Sequence, residues 1–134
     1  MAPLLSAYLS EAMRQRFVWG THDCMLFAAG WAQWVSGIDP AASYRGRYSS
    51  EEGAASVLEA DGGALAAMCG ALSQWQRVEV LRRGDIALAR LPMHKGEVAG
   101  IATDDHKVAF LSRRGLVIWP AEIVAAWRFG GAHG

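Results

Sequence analysis

The chain has 134 residues, of which 52% are hydrophobic and 19% charged, with six tryptophans, so it is one domain in size and too apolar and aromatic to remain disordered. Thirteen basic residues balance thirteen acidic ones, which excludes the strong field that a nucleic-acid or anionic-membrane binder relies on. No apolar run approaches the roughly 18 residues of a membrane-spanning helix and no basic leader precedes an apolar stretch, so residues 1–134 read as a single soluble domain made in the cytoplasm, with Cys24 and Cys69 as free thiols.

From Pro3 to Arg16, Leu5, Leu9, Ala12 and Met13 recur at helical spacing opposite Ser10, Glu11, Arg14 and Gln15, which predicts an amphipathic helix. Gly20 interrupts the pattern. Asp23 then precedes a second helix, on which Cys24, Phe27, Ala28, Trp31 and Val35 share one face before Gly37 ends it. Ala41 to Ser50, with Tyr44-Arg45-Gly46-Arg47-Tyr48, has no period and reads as irregular surface. Ser50 with Glu51 and Glu52 opens a third helix to Ala60, and Ala64 to Leu72 makes a short fourth one beyond Gly62-Gly63.

After Gln74 the period becomes two. Strands are expected at Val78–Val80, Asp85–Leu91, Glu97–Thr103, Lys107–Ser112 and Leu116–Trp119, then a short helix after Pro120 and a last strand at Ala126–Phe129. Helices first and an antiparallel meander second predict an α+β fold, with N-terminal helices packed on a C-terminal antiparallel sheet of about five or six strands. The tryptophans at 19, 31, 34, 75, 119 and 127 are read as mostly core.

Cys24 is the most informative position. A thiol in the first turn of a helix meets unpaired N–H groups and the positive end of the dipole, both of which favour thiolate. Asp23 is read as the cap of that helix, carrying a charge that acts the other way on the thiol. Cys69, in a helix of small residues, reads as a packing residue.

The string Trp19-Gly20-Thr21-His22-Asp23-Cys24-Met25-Leu26-Phe27, followed by Arg83-Gly84-Asp85-Ile86-Ala87-Leu88 and Val98-Ala99-Gly100-Ile101, resembles the NlpC/P60 superfamily of papain-like cysteine peptidases. It is most similar to the small branch found among tail proteins of tailed phages and related particles. The resemblance runs from Phe17 to Arg128 and takes in Asp39-Pro40, Arg45-Gly46-Arg47-Tyr48 and Ala126-Trp127-Arg128. It implies a papain-like NlpC/P60-type fold with Cys24 as nucleophile, and places Val98 where the family has its catalytic histidine and Phe110 where it has the polar residue that orients it.

Amide cleavage needs a proton donor for the leaving amine. Val98 cannot provide one, which leaves His94, in the loop before the same strand, as the replacement base; His106 and His133 lie at a distant turn and in the tail. Trp19, Gly20 and His22 are the expected walls of a substrate cleft. The resemblance therefore implies a tail-tip or tail-assembly protein, structural, with a degenerate catalytic site, located in a virion tail. Its partners would be other tail-tip proteins (hub and distal tail), with no nucleic acid, no cofactor and no metal. The alternative is an active cysteine peptidase or amidase whose partner is peptidoglycan, with Cys24, Asp23 and His94 catalytic; a free-standing redox or ligand-binding module using Cys24 is more remote. Near-zero net charge with ample apolar surface suits a chain that lives in an assembly.

Overall fold

The computed structural model describes residues 4–92 and 96–130. Four helices come first, α1 (Leu5–Met13), α2 (Cys24–Ser36), α3 (Glu51–Ala60) and α4 (Ala64–Ala71). Six strands follow: β1 (Gln76–Val78), β2 (Ile86–Arg90), β3 (Glu97–Ala102), β4 (Lys107–Ser112), β5 (Gly115–Pro120) and β6 (Glu122–Arg128). The helix starts lie where capping chemistry puts them: Asp23 accepts the N–H of Leu26 at 3.0 Å, and the Ser50 side chain accepts that of Gly53 at 3.0 Å. Gly37, with φ 81°, closes α2 in the left-handed conformation that glycine tolerates best.

The strands form one antiparallel sheet in the order β1-β6-β2-β3-β4-β5. The expected meander holds from β2 to β5, but β6 returns to lie between β1 and β2. The expected short helix after Pro120 is corrected: Glu122–Arg128 is one continuous strand, because it pairs with β2 on one side and with β1 on the other. Tertiary pairing overrides the weak local pattern there, with a register shift between Leu88 and Ala89. The first strand is also displaced, to Gln76–Val78, where it pairs with Ala126, Trp127 and Arg128.

β5 ends at Pro120 and β6 begins at Glu122. An extended chain covers at most about 7 Å in that step, whereas β4, β3 and β2 lie between the two strands and would hold them about 19 Å apart in a flat sheet. The sheet therefore coils until its ends approach one another there. Coiling gives it two different faces. Ile86, Leu88, Ala99, Ile101 and Ala109 pack against Phe27, Ala28 and Trp31 of α2 on the outer face. Their neighbours in sequence, Ala87, Ala89, Val98, Ala102, Val108 and Phe110, form a second cluster on the inner face. Small residues suit the tight inner curve: a Cβ on Gly100 would lie 2.5 Å from the Ala109 carbonyl oxygen and 2.6 Å from Val108.

Of the tryptophans, Trp31 and Trp127 are core residues, whereas Trp34 and Trp119 are exposed, which corrects the expectation for those two. No helix of the described residues is long and apolar enough to cross a membrane.

Candidate functional site around Cys24

The site is assembled where a tight reversal meets the first turn of α2. Val18 and His22 pair across that reversal, and Gly20, with φ 83°, turns the chain between them. Asp23 is fully buried and accepts three hydrogen bonds. Oδ1 takes the N–H of Leu26, and Oδ2 takes the N–H of Gly20 at 2.9 Å and the hydroxyl of Tyr48 at 2.7 Å. The segment from Asp39 to Tyr48 straps across this end of the helix. The N–H of Gly46 donates to the Gly20 carbonyl at 2.9 Å, and a Cβ at position 20 would lie 2.0 Å from the Tyr48 carbonyl oxygen. Arg45 fastens the strap to its own base through Nε, 2.6 Å from Asp39 Oδ2.

Cys24 is the first residue of α2 and is half-buried. Its thiol is pushed up to about 12, first by desolvation and then by the adjacent Asp23 charge. This corrects the expected thiolate. The N–H groups of Met25 and of Cys24 itself do favour the anion, but burial and the carboxylate outweigh them, and the Leu26 N–H is taken by Asp23. Tyr48 is likewise raised above its ordinary value, by burial and by its bond to Asp23. At neutral pH the group is a neutral thiol beside a neutral phenol and a carboxylate.

The two imidazoles of the described residues are engaged elsewhere. His22 is buried with Nε2 3.1 Å from the Ala12 carbonyl oxygen of α1, and His106 sits in the turn after β3 with Nδ1 2.8 Å from Asp105. His94, the expected replacement base, and His133 lie outside the described residues. Val98 and Phe110, each 3% exposed, do come together, but on the inner face of the sheet. Ala99, next to Val98, is the residue of that pair turned towards α2.

The three expected cleft residues have different neighbours. Gly20 is buried under Tyr48, the His22 ring points to α1, and Trp19 packs edge-on to Phe17 with centroids 4.9 Å apart while the Arg113 guanidinium lies 5.9 Å from its ring. The hollow adjoining the site is instead a cavity of about 60 Å³ between α2, the strap and the α3–α4 hairpin. Met25, Ala29, Tyr44, Leu58, Met68 and Ala99 line it. Its two phenols are committed, Tyr44 to Asp61 and Tyr48 to Asp23, so it offers an amide no free polar partner.

Sequence reasoning missed Tyr48. The residue was visible within Arg45-Gly46-Arg47-Tyr48, but an aperiodic segment gives no sign of which buried acid its hydroxyl will reach. Gly84-Asp85 proves to be a joint. Arg128 grips Asp85 with Nε at 2.9 Å and Nη2 at 2.8 Å, Asp85 also accepts the N–H of Arg82, and the Gly84 carbonyl accepts the Trp31 indole at 2.8 Å. Away from both, Asp104, Asp105 and His106 cluster at the turn after β3, where Asp104 is held below its ordinary value by the N–H groups of His106 and Lys107.

Helices laid on the outer face of a coiled antiparallel sheet, with a capped thiol heading the central helix, define an α+β protein. The chain belongs to the family described as "Domain of unknown function (DUF6950)", which matches residues 2–129. No curated protein and no solved structure matches it.

Proposed function

We propose that this chain is a structural tail-tip or tail-assembly protein of a phage or phage-like particle, with a papain-like NlpC/P60-type fold whose catalytic site has degenerated. The tail assignment rests on the resemblance carried by Trp19-Gly20, Asp23-Cys24, Gly84-Asp85 and Val98-Ala99-Gly100-Ile101. The loss of catalysis rests on the surroundings of Cys24: the side chain next to the thiol is a buried acid, Asp23, and burial together with that charge pushes the thiol up rather than down. A nucleophilic thiol needs a base or a cation beside it. Among the described residues the immediate neighbours are Asp23 and Tyr48, and the Val98 and Phe110 positions are enclosed in an apolar cluster.

The test is thiol alkylation with iodoacetamide, read by peptide mass spectrometry across pH, beside a peptidoglycan-digestion assay. Cys24 is expected to label slowly at pH 8, where the thiol is protonated, and to gain roughly tenfold per pH unit through the alkaline range. Purified protein is expected to release no stem-peptide fragments, and Cys24→Ala particles to assemble and infect. Fast labelling at pH 7 together with cleavage abolished by Cys24→Ala or His94→Ala would establish the peptidase instead.

A further inference from the structure

The two edges of the sheet are built differently. β1 is three residues long and carries Arg77, a short charged edge of the kind that resists pairing. β5 is six residues long, Gly-Leu-Val-Ile-Trp-Pro, without a charge, and Val117, Ile118 and Trp119 are exposed. Alternate residues of an edge strand turn their N–H and C=O groups outward, and among the described residues nothing pairs with β5 except β4. Only Pro120, at the far end, interrupts such a template.

Charge indicates what would cover it. From His106 to Ala121 the chain has three cations, Lys107, Arg113 and Arg114, and no acid. Arg113 and Arg114 form the turn into β5, and Arg16 joins them around a hollow of about 390 Å³ that Phe17 and Ser112 also line. Among the described residues the ion pair there is Arg113 with Glu51, at 3.7 Å and exposed on both sides. In a chain with balanced charge this is a local excess of cations at one end of an apolar edge that no described strand pairs with.

We propose that β5 is a strand-addition site for an extended segment of a partner protein, with alternating apolar residues along Val117–Trp119 and carboxylates at the end that meets Arg16, Arg113 and Arg114. A second copy of the chain fits less well. Antiparallel self-pairing of β5 brings Pro120 and Ala121 towards these arginines, and the next acid, Glu122, is 3.0 Å from Arg90 and already part of β6. The inference does not depend on whether Cys24 retains any reactivity.

The experiment uses the full chain and three labelled probes read by fluorescence anisotropy. One is an eight-residue peptide of alternating threonine and valine flanked at each end by two glutamates, so that either strand direction brings carboxylates to the arginines, the second carries lysines in place of the glutamates, and the third is the acidic peptide N-methylated at alternate residues. The acidic peptide is expected to bind, to weaken with added salt, and to lose about tenfold or more in affinity to Arg113→Glu/Arg114→Glu, which should then prefer the lysine peptide. N-methylation and Trp119→Lys should each abolish binding, with circular dichroism confirming that both variants are folded. Equal binding of the acidic and lysine peptides, or undiminished binding after N-methylation, overturns the proposal. So does a wild-type dimer in sedimentation that Trp119→Lys dissociates while no peptide competes, since the edge would then belong to a second copy.

Discussion

Asp23 does three jobs with two oxygens, and its neighbours are all tuned by it. Asp23→Ala removes the α2 cap and leaves the Gly20 N–H and the Tyr48 hydroxyl without their acceptor. A lost cap costs about 1 kcal/mol and each stranded buried donor about 1–3 kcal/mol, so urea denaturation should show a loss of about 3 kcal/mol or more. Cys24 gives the alkaline counterpart. Its pKa rises from an ordinary value of 9.0 to about 12 in the folded chain, so above pH 9 the unfolded chain releases a proton that the folded one keeps. Stability is then full below about pH 9 and falls as pH climbs towards 12. Melting temperatures followed from pH 8 to 11 should decline, and Cys24→Ala should make the decline shallower; an unchanged slope would mean that the thiol is not protonated as described. Tyr48, raised for related reasons, adds to the same decline, so the variant flattens it without removing it.

Between elements, the Asp85 and Arg128 pair joins the start of β2 to the end of β6 and draws in the Val80 carbonyl, which Arg128 also meets at 2.9 Å. Asp85 is buried, so Arg128→Ala strands its carboxylate, and denaturation should show a cost of about 3 kcal/mol. Arg90 supplies the contrast: it bridges Glu97 and Glu122 in the open, and Arg90→Ala should change stability by about 1 kcal/mol or less. Equal effects of the two would refute a structural role for the buried joint. The same contrast between local and distant causes explains how far the fold could be read in advance. The starts of α2 and α3 were legible because Asp23 and Ser50 act on N–H groups within their own helices. β4 was legible because its alternation and flanking turns are local too. The path of β6 was not, since Glu122–Arg128 is a strand by virtue of β1 and β2, which come from more than thirty residues away in sequence. At the site, Cys24 and its cap could be read, whereas the thiol's ionisation could not, because desolvation depends on the strap and on Tyr48, which reaches Asp23 across 25 residues.

The whole molecule divides into a rigid part and a lighter cover. β2 and β3 bury nearly every residue, and the inner cluster is enclosed by the coiling of the sheet. α3 buries only Ala54, and α4 only Ala67 and Met68. Elements with few buried apolar contacts open at lower free energy than the core strands. The α3–α4 hairpin, turning on Gly62 and Gly63 at φ 94° and 102°, should therefore be the first regular structure to open. Native-state hydrogen exchange is expected to find amides of residues 51–71 exchanging well before those of β2, β3 and β6, which should exchange only with global unfolding. The hairpin also roofs the apolar cavity beside Met25, so its opening is a route by which reagent reaches the neighbourhood of Cys24. Met68→Ala, which removes a buried side chain from that roof, should lower the opening free energy of residues 51–71 by about 2–4 kcal/mol. It should also speed Cys24 labelling, by no more than the corresponding factor, because the thiol is already half-buried rather than enclosed. Should the hairpin and the core strands exchange at one common rate, the cover is no separate unit, and Met68→Ala would then lower the stability of both alike.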